Sequence, residues 1–128
     1  MTHQVTSYSA LLGQIIGSLR LQKGLEQADL AQALGISQAS YSRLEGGKAQ
    51  WSIDQLMAAS KILGLEVGHI LQILERRVAD LAEAANVEVI STSRANSRGA
   101  EERKNTSGGA FLTGAALGAL LATLITRR

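Results

Sequence analysis

Apolar residues in the first half of this chain recur every three or four positions, and glycine breaks the pattern at short intervals. Leu11, Leu12, Ile15, Ile16 and Leu19 predict one amphipathic helix over about Tyr8 to Lys23, with Ser7 or Ser9 as its N-cap. Gly24 ends it. A shorter helix follows over Gln27 to Leu34, turning Leu30 and Leu34 inward. Gly35 suits a positive φ that other residues resist. Ser37 then caps a third helix, Gln38 to Glu45, which Gly46 and Gly47 stop. Ser52 and Gln55 form a capping box for a fourth helix to about Leu63, whose apolar face holds Ile53, Leu56, Met57, Ala59, Ile62 and Leu63. Helices this short gain stability by packing on one another, so the expected fold is an all-α five-helix bundle. Four aromatic residues, no proline and much Leu, Ala and Ile agree with a helical core.

A fifth helix is expected from near Val67. Along it Leu71, Leu74, Val78, Leu81 and Ala85 alternate by threes and fours, an a/d seam. This stripe runs past the end of a five-helix head. It has two readings, a lid on the hydrophobic core or a two-fold dimer seam, and the seam is the one favoured. Val87 to Ile90 is compatible with more helix or with a short strand, and periodicity does not decide between them. Ser91 to Gly109 is nearly devoid of apolar residues and reads as a flexible linker. The expected organisation is a head over 8–74, a helical extension over 75–90, a linker over 91–109 and an apolar tail over 110–128.

The tail is an uncharged run from Ala110 to Thr126, closed by Arg127 and Arg128. Ala110, Gly114, Gly118, Ala122 and Thr126 stand four apart, a ladder of small residues that lets helices approach closely. As a helix the run reaches roughly 25 Å, short of the ~30 Å hydrocarbon core of a bilayer. Three readings stand: association with a membrane, packing in an oligomer or on a partner protein with Gly114, Gly118 and Ala122 at the contact, or an unstructured tail.

Gln27 to Gly46 reads as one unit. Two short helices meet across a turn at Gly35, with Ala31 small enough to let them touch. Leu30, Leu34, Ile36, Tyr41 and Leu44 supply the apolar contacts. The stretch LEQADLAQALGISQASYSRLEGG resembles the helix-turn-helix of the phage-repressor and Cro (XRE-like) family, a likeness extending over about residues 11–74. The resemblance implies a structural pair between Arg20 and Glu45. It also implies that the third helix enters the major groove of duplex DNA, where residues near its start reach base edges. Those residues are Gln38, Ala39, Ser42 and Arg43. Gln can bond adenine at two positions, Arg can bond guanine at two, and Ala39 has room for a thymine methyl. Gln27 at the start of the second helix, Ser37, Ser40 and Lys48 are the expected phosphate contacts. Two positions depart from the family pattern. Glu26 stands where Ser or Thr usually caps the second helix, and its charge opposes a phosphate. Tyr41 replaces a β-branched core residue, and its hydroxyl needs a partner or an outlet to solvent.

The formal charge of +2 is unevenly placed. Residues 1–75 hold five Lys and Arg against six Asp and Glu, so the basic surplus lies in the remainder. A head this neutral gains little from counterion release, which makes dimerisation or help from the tail the expected route to affinity. With no cysteine there is neither a disulfide nor a thiolate metal site. His3 and His69 stand alone, so no metal or other cofactor is expected. Glu75, Asp80 and Glu83 read as helix-surface acids beside Arg76 and Arg77. No nucleophile and base stand at catalytic spacing, and an enzyme is not expected. Trp51 precedes the Ser52 cap and reads as a hydrophobic staple. The first residues show no basic region followed by an apolar stretch, so a cytoplasmic protein is expected, with membrane association through the tail as the variant. The leading functional expectation is a homodimeric repressor or autoregulator that binds an inverted-repeat operator. An antitoxin of the same fold is a close variant. The rival is a membrane-tethered protein whose helix-turn-helix head grips a protein partner.

Overall fold

Ser7 decides where the first helix begins: its Oγ accepts from the Ala10 amide at 3.0 Å. In the computed structural model, which describes residues 4–91 and 110–126, helix α1 (Tyr8–Gln22) is the central strut of the molecule. Leu11, Leu12, Ile15 and Ile16 on it are all buried. α3 (Gln38–Glu45), α4 (Ile53–Leu63) and α5 (Val67–Ala85) pack against it, and α2 (Gln27–Leu34) packs on α3 and α4. The Ser52 capping box forms as expected: Ser52 Oγ accepts from the Gln55 amide at 3.1 Å, and the Gln55 side chain accepts from the Ser52 amide at 2.8 Å. Asn86 ends α5 at φ 54°, a left-handed conformation that Asn tolerates better than most residues.

Three short strands accompany the helices, which composition did not reveal. Strand β1 (Gln4–Ser7) lies between β2 (Val87–Ile90) and β3 (Ala110–Phe111), and both pairings are parallel. The undecided segment after α5 is therefore a strand, in register from Gln4 opposite Val87 to Ser7 opposite Ile90. Parallel neighbours need long crossover connections, and here α1 to α5 together form the one between β1 and β2. The buried Thr6 hydroxyl donates to the Leu112 carbonyl at 2.6 Å, and the Leu112 amide donates to the Val5 carbonyl at 2.6 Å.

The apolar tail then forms α6 (Gly114–Thr126), which packs on α1 and α5 of the same chain. Leu112, Leu117, Leu121 and Leu124 join the same hydrophobic core. Each leucine buried this way is worth about 1.5–3 kcal/mol. The small-residue ladder does have a contact role: the Gln14 amide donates to the Gly114 carbonyl at 2.7 Å, and a Cβ on Gly118 would lie 2.7 Å from Gln14 Oε1. Gly118 thus faces α1 of the chain itself, while a Cβ on Gly114 would lie 3.6 Å from the Gly46 carbonyl oxygen. Among the described residues no single helix is long and apolar enough to cross a membrane.

The same packing takes up part of the long stripe on α5. Leu81 is fully buried in the protomer's own core, Leu74, Val78 and Ala85 are half-buried against it, and Leu71 is 39% exposed. The sheet and α6 provide the cover that five helices alone lack. The linker reading falls, apart from Ser91, on residues outside those described, as do His3, Arg127 and Arg128.

Candidate nucleic-acid interface

The turn between α2 and α3 is set by one glycine. Gly35 adopts φ 71°, and the next amide, Ile36, donates back to the Ala31 carbonyl at 3.0 Å. Ser37 then caps α3, its Oγ accepting from the Ser40 amide at 3.1 Å. Ala31 and Leu30 are buried on one side of the corner, Tyr41 and Leu44 on the other. With Tyr41 and Leu44 facing the core, Gln38, Ala39, Ser42 and Arg43 all lie exposed on the outside of α3. Helical spacing of one and four places these four residues on a common face.

Two glycines let α1 carry α3 at very short range. A Cβ on Gly13 would stand 2.4 Å from the Leu44 carbonyl oxygen, and one on Gly17 would stand 2.9 Å from the Glu45 side chain. Both lie within the apolar periodicity of the first helix, where sequence reading passed over them. The backbone of α1 thus lies directly against the last turn of α3.

The Arg20–Glu45 pair completes that junction. Arg20 Nε and Nη2 donate to Glu45 Oε2 and Oε1 at 3.0 and 2.9 Å, and Nη1 donates to the Leu25 carbonyl at 2.8 Å. One guanidinium therefore ties α1 to the loop before α2 and to the end of α3. Burial disfavours the Glu45 charge, but hydrogen bonds from Arg20, the nearby Tyr41 hydroxyl, the Arg20 charge and a bond from Gln27 outweigh it and hold the carboxyl below its usual range. Tyr41 lies in the field of this pair, and burial above all pushes its hydroxyl far up. The buried hydroxyl nonetheless meets no acceptor or donor among the described residues with hydrogen-bond geometry. Trp51 closes the site from behind. Its Nε1 donates to the Leu44 carbonyl at 3.2 Å, and its ring meets Tyr41 edge-on at 6.4 Å. It ties the start of α4 to the end of α3.

The expected phosphate contacts divide. Ser37, Ser40 and Lys48 are exposed, with the Ser37 hydroxyl donating to Ser40 Oγ at 3.0 Å. Arg43 Nη2 leans on the Lys48 carbonyl at 3.4 Å, which links the third helix to the loop after it. Gln27 is half-buried and turns its amide towards Glu45 Oε1 at 3.4 Å. The Glu26 amide donates to Asp29 Oδ2 at 2.8 Å, so the positive end of α2 already holds a carboxylate of its own. Among the described residues no three His, Cys, Asp or Glu side chains converge as metal ligands.

The helix-turn-helix family model matches residues 16–70. Those residues are a helix-turn-helix domain. The match falls within residues 11–74, where the sequence likeness to the phage-repressor and Cro family lies. Among solved structures, the clp gene regulator ClgR from Corynebacterium glutamicum is 28% identical with a TM-score of 0.51, over 55% of this chain and 91% of that one. The wild-type restriction-modification controller protein C.Esp1396I is 22% identical with a TM-score of 0.52, over 56% of this chain and 94% of that one, a likeness of fold. No curated protein matches this chain.

Proposed function

We propose that this chain is a sequence-specific duplex-DNA-binding transcriptional regulator. The observation that carries the reading is the outer face of α3, where Gln38, Ala39, Ser42 and Arg43 stand exposed while Tyr41 and Leu44 lock the inner face into the core. A rigid helix with free polar groups near its N-terminus is what major-groove readout requires. In this reading Gln38 and Arg43 contact base edges, and Ser37, Ser40 and Lys48 contact phosphates. Gln27 contributes through its backbone amide, since its side chain serves Glu45. Similarity to the ClgR regulator supports the assignment.

The regulator acts as a homodimer on an inverted repeat, represses or autoregulates, and works in the cytoplasm without a catalytic step or cofactor. A head with five basic and six acidic groups in its first 75 residues needs two copies to hold DNA well. Leu81 is used within the protomer, so the part of the α5 seam open to a second copy is Leu71, Leu74 and Val78.

Selection from a random duplex library with the full-length protein tests this. A recovered motif with half-sites about 34–36 Å apart, lost in the Gln38→Ala, Arg43→Ala double variant, is the expected result. Failure to enrich any sequence would turn the reading towards a protein-binding head.

A further inference from the structure

A groove of about 370 Å³ runs between α1, α5 and α6, on the side of the molecule built by the C-terminal helix rather than by α3. Its apolar walls come from all three helices: Leu19 of α1, Ile73 of α5, and Leu121 and Ile125 of α6. Ile125 is 52% exposed, whereas Leu112, Leu117, Leu121 and Leu124 of the tail are buried. A second depression of about 210 Å³ adjoins the first, sharing His69, Ile73 and Arg77 and adding Arg76. The two share one wall, so together they form a trough with an apolar part and a polar part, the latter including Gln14, Ser18, Gln22 and Gln72 beside the arginines.

The charge of that polar part is one-sided. Arg77 lines both depressions, Arg76 and His69 flank it, and no Asp or Glu lines either one. Arg77 pairs with Asp80 at 3.7 Å, their side chains 24% and 14% exposed. Arg76 has no ion pair among the described residues. A guanidinium presents paired N–H groups that match a carboxylate two at a time, and neighbouring arginines on a helix strengthen that match. Apolar walls with a few convergent polar groups are the ordinary makeup of a small-molecule site, and the volume falls at the lower end of the usual range of about 300–1,000 Å³.

We propose that this trough is an effector site for a small amphipathic carboxylate. The hydrocarbon end lies between Leu19, Ile73 and Ile125, and the carboxylate meets Arg76, Arg77 and His69. Such a ligand touches the head through α1 and α5 and the C-terminal element through α6, so it fastens α6 onto the head.

Calorimetric titration of the full-length protein with octanoate, beside octanol as the uncharged probe of equal chain length, tests the proposal without DNA. Saturable one-site binding of octanoate is expected, with octanol at least about tenfold weaker because it cannot pair with two arginines. The Arg76→Gln, Arg77→Gln variant should weaken octanoate by at least about tenfold while octanol is unchanged. Ile125→Asp, at a position already half in solvent, should weaken both probes. A thermal midpoint that rises with octanoate in the parent and not in the arginine variant is the accompanying sign. Equal binding of the two probes, full affinity in the arginine variant, or no saturation at millimolar octanoate would each overturn the proposal. Since no step involves DNA, these outcomes are independent of whether α3 reads an operator.

Discussion

Arg20 bonds three separate segments with one guanidinium, and its loss leaves Glu45 half-buried without a counter-charge. Arg20→Ala should therefore lower unfolding free energy by about 3 kcal/mol in urea titration. The pair also sets an acid dependence. A carboxyl held below its unfolded value adds stability that is complete above that value and is lost as pH falls through the folded one. Thermal midpoints should thus fall as pH drops below about 4.3 in the parent, and fall less steeply in Arg20→Ala. Tyr41 gives a prediction of opposite sign. Its buried hydroxyl has no hydrogen bond among the described residues, so Tyr41→Phe removes an uncompensated polar group and should raise stability by about 1 kcal/mol. Gly13→Ala should do the reverse. Helix propensity favours Ala by about 1 kcal/mol, but a Cβ 2.4 Å from the Leu44 carbonyl must push α1 and α3 apart. A net loss of about 2 kcal/mol, with weakened DNA binding, is expected from denaturant and gel-shift measurements. At this scale Arg20 with Glu45 was legible in the sequence through the family likeness, because residue type and position sufficed. Gly13 and Gly17 were not, since a glycine inside an apolar helix pattern does not announce the backbone that approaches it.

The helices were legible as elements because their caps are local. Ser37, Ser52 and Gly35 act within three or four residues of themselves, and the observed bounds of α2 and α3 coincide with the spacing that predicted them. The strands were not. β1 is four residues of mixed polarity and β3 is two, and their pairing joins residues more than a hundred positions apart, as the Thr6 to Leu112 bond shows. The tail was legible as an apolar helix with a small-residue face, but what that face meets depends on Gln14, far away in sequence. That difference makes a prediction. Ending the chain at Gly109 strips Leu117, Leu121 and Leu124 from the core and should cost roughly 5 kcal/mol, read as a lower urea midpoint and new dye-binding apolar surface.

In the whole molecule, α3 packs on α1 and α2, while the C-terminal helix packs on α1 and α5. Under the proposed homodimeric reading, a near-neutral head needs two copies on DNA, so apparent affinity should rise steeply with protein concentration. Its salt dependence should correspond to only a few phosphates per copy. The central claim is that the outer face of α3 reads DNA sequence. Its most direct test is recovery of genomic DNA crosslinked to the full-length protein in cells, beside the Gln38→Ala, Arg43→Ala double variant at matched abundance. A few sharp sites sharing an inverted repeat, present for the parent and absent for the variant, are predicted. The same sites in both proteins, or background recovery from both, would contradict it.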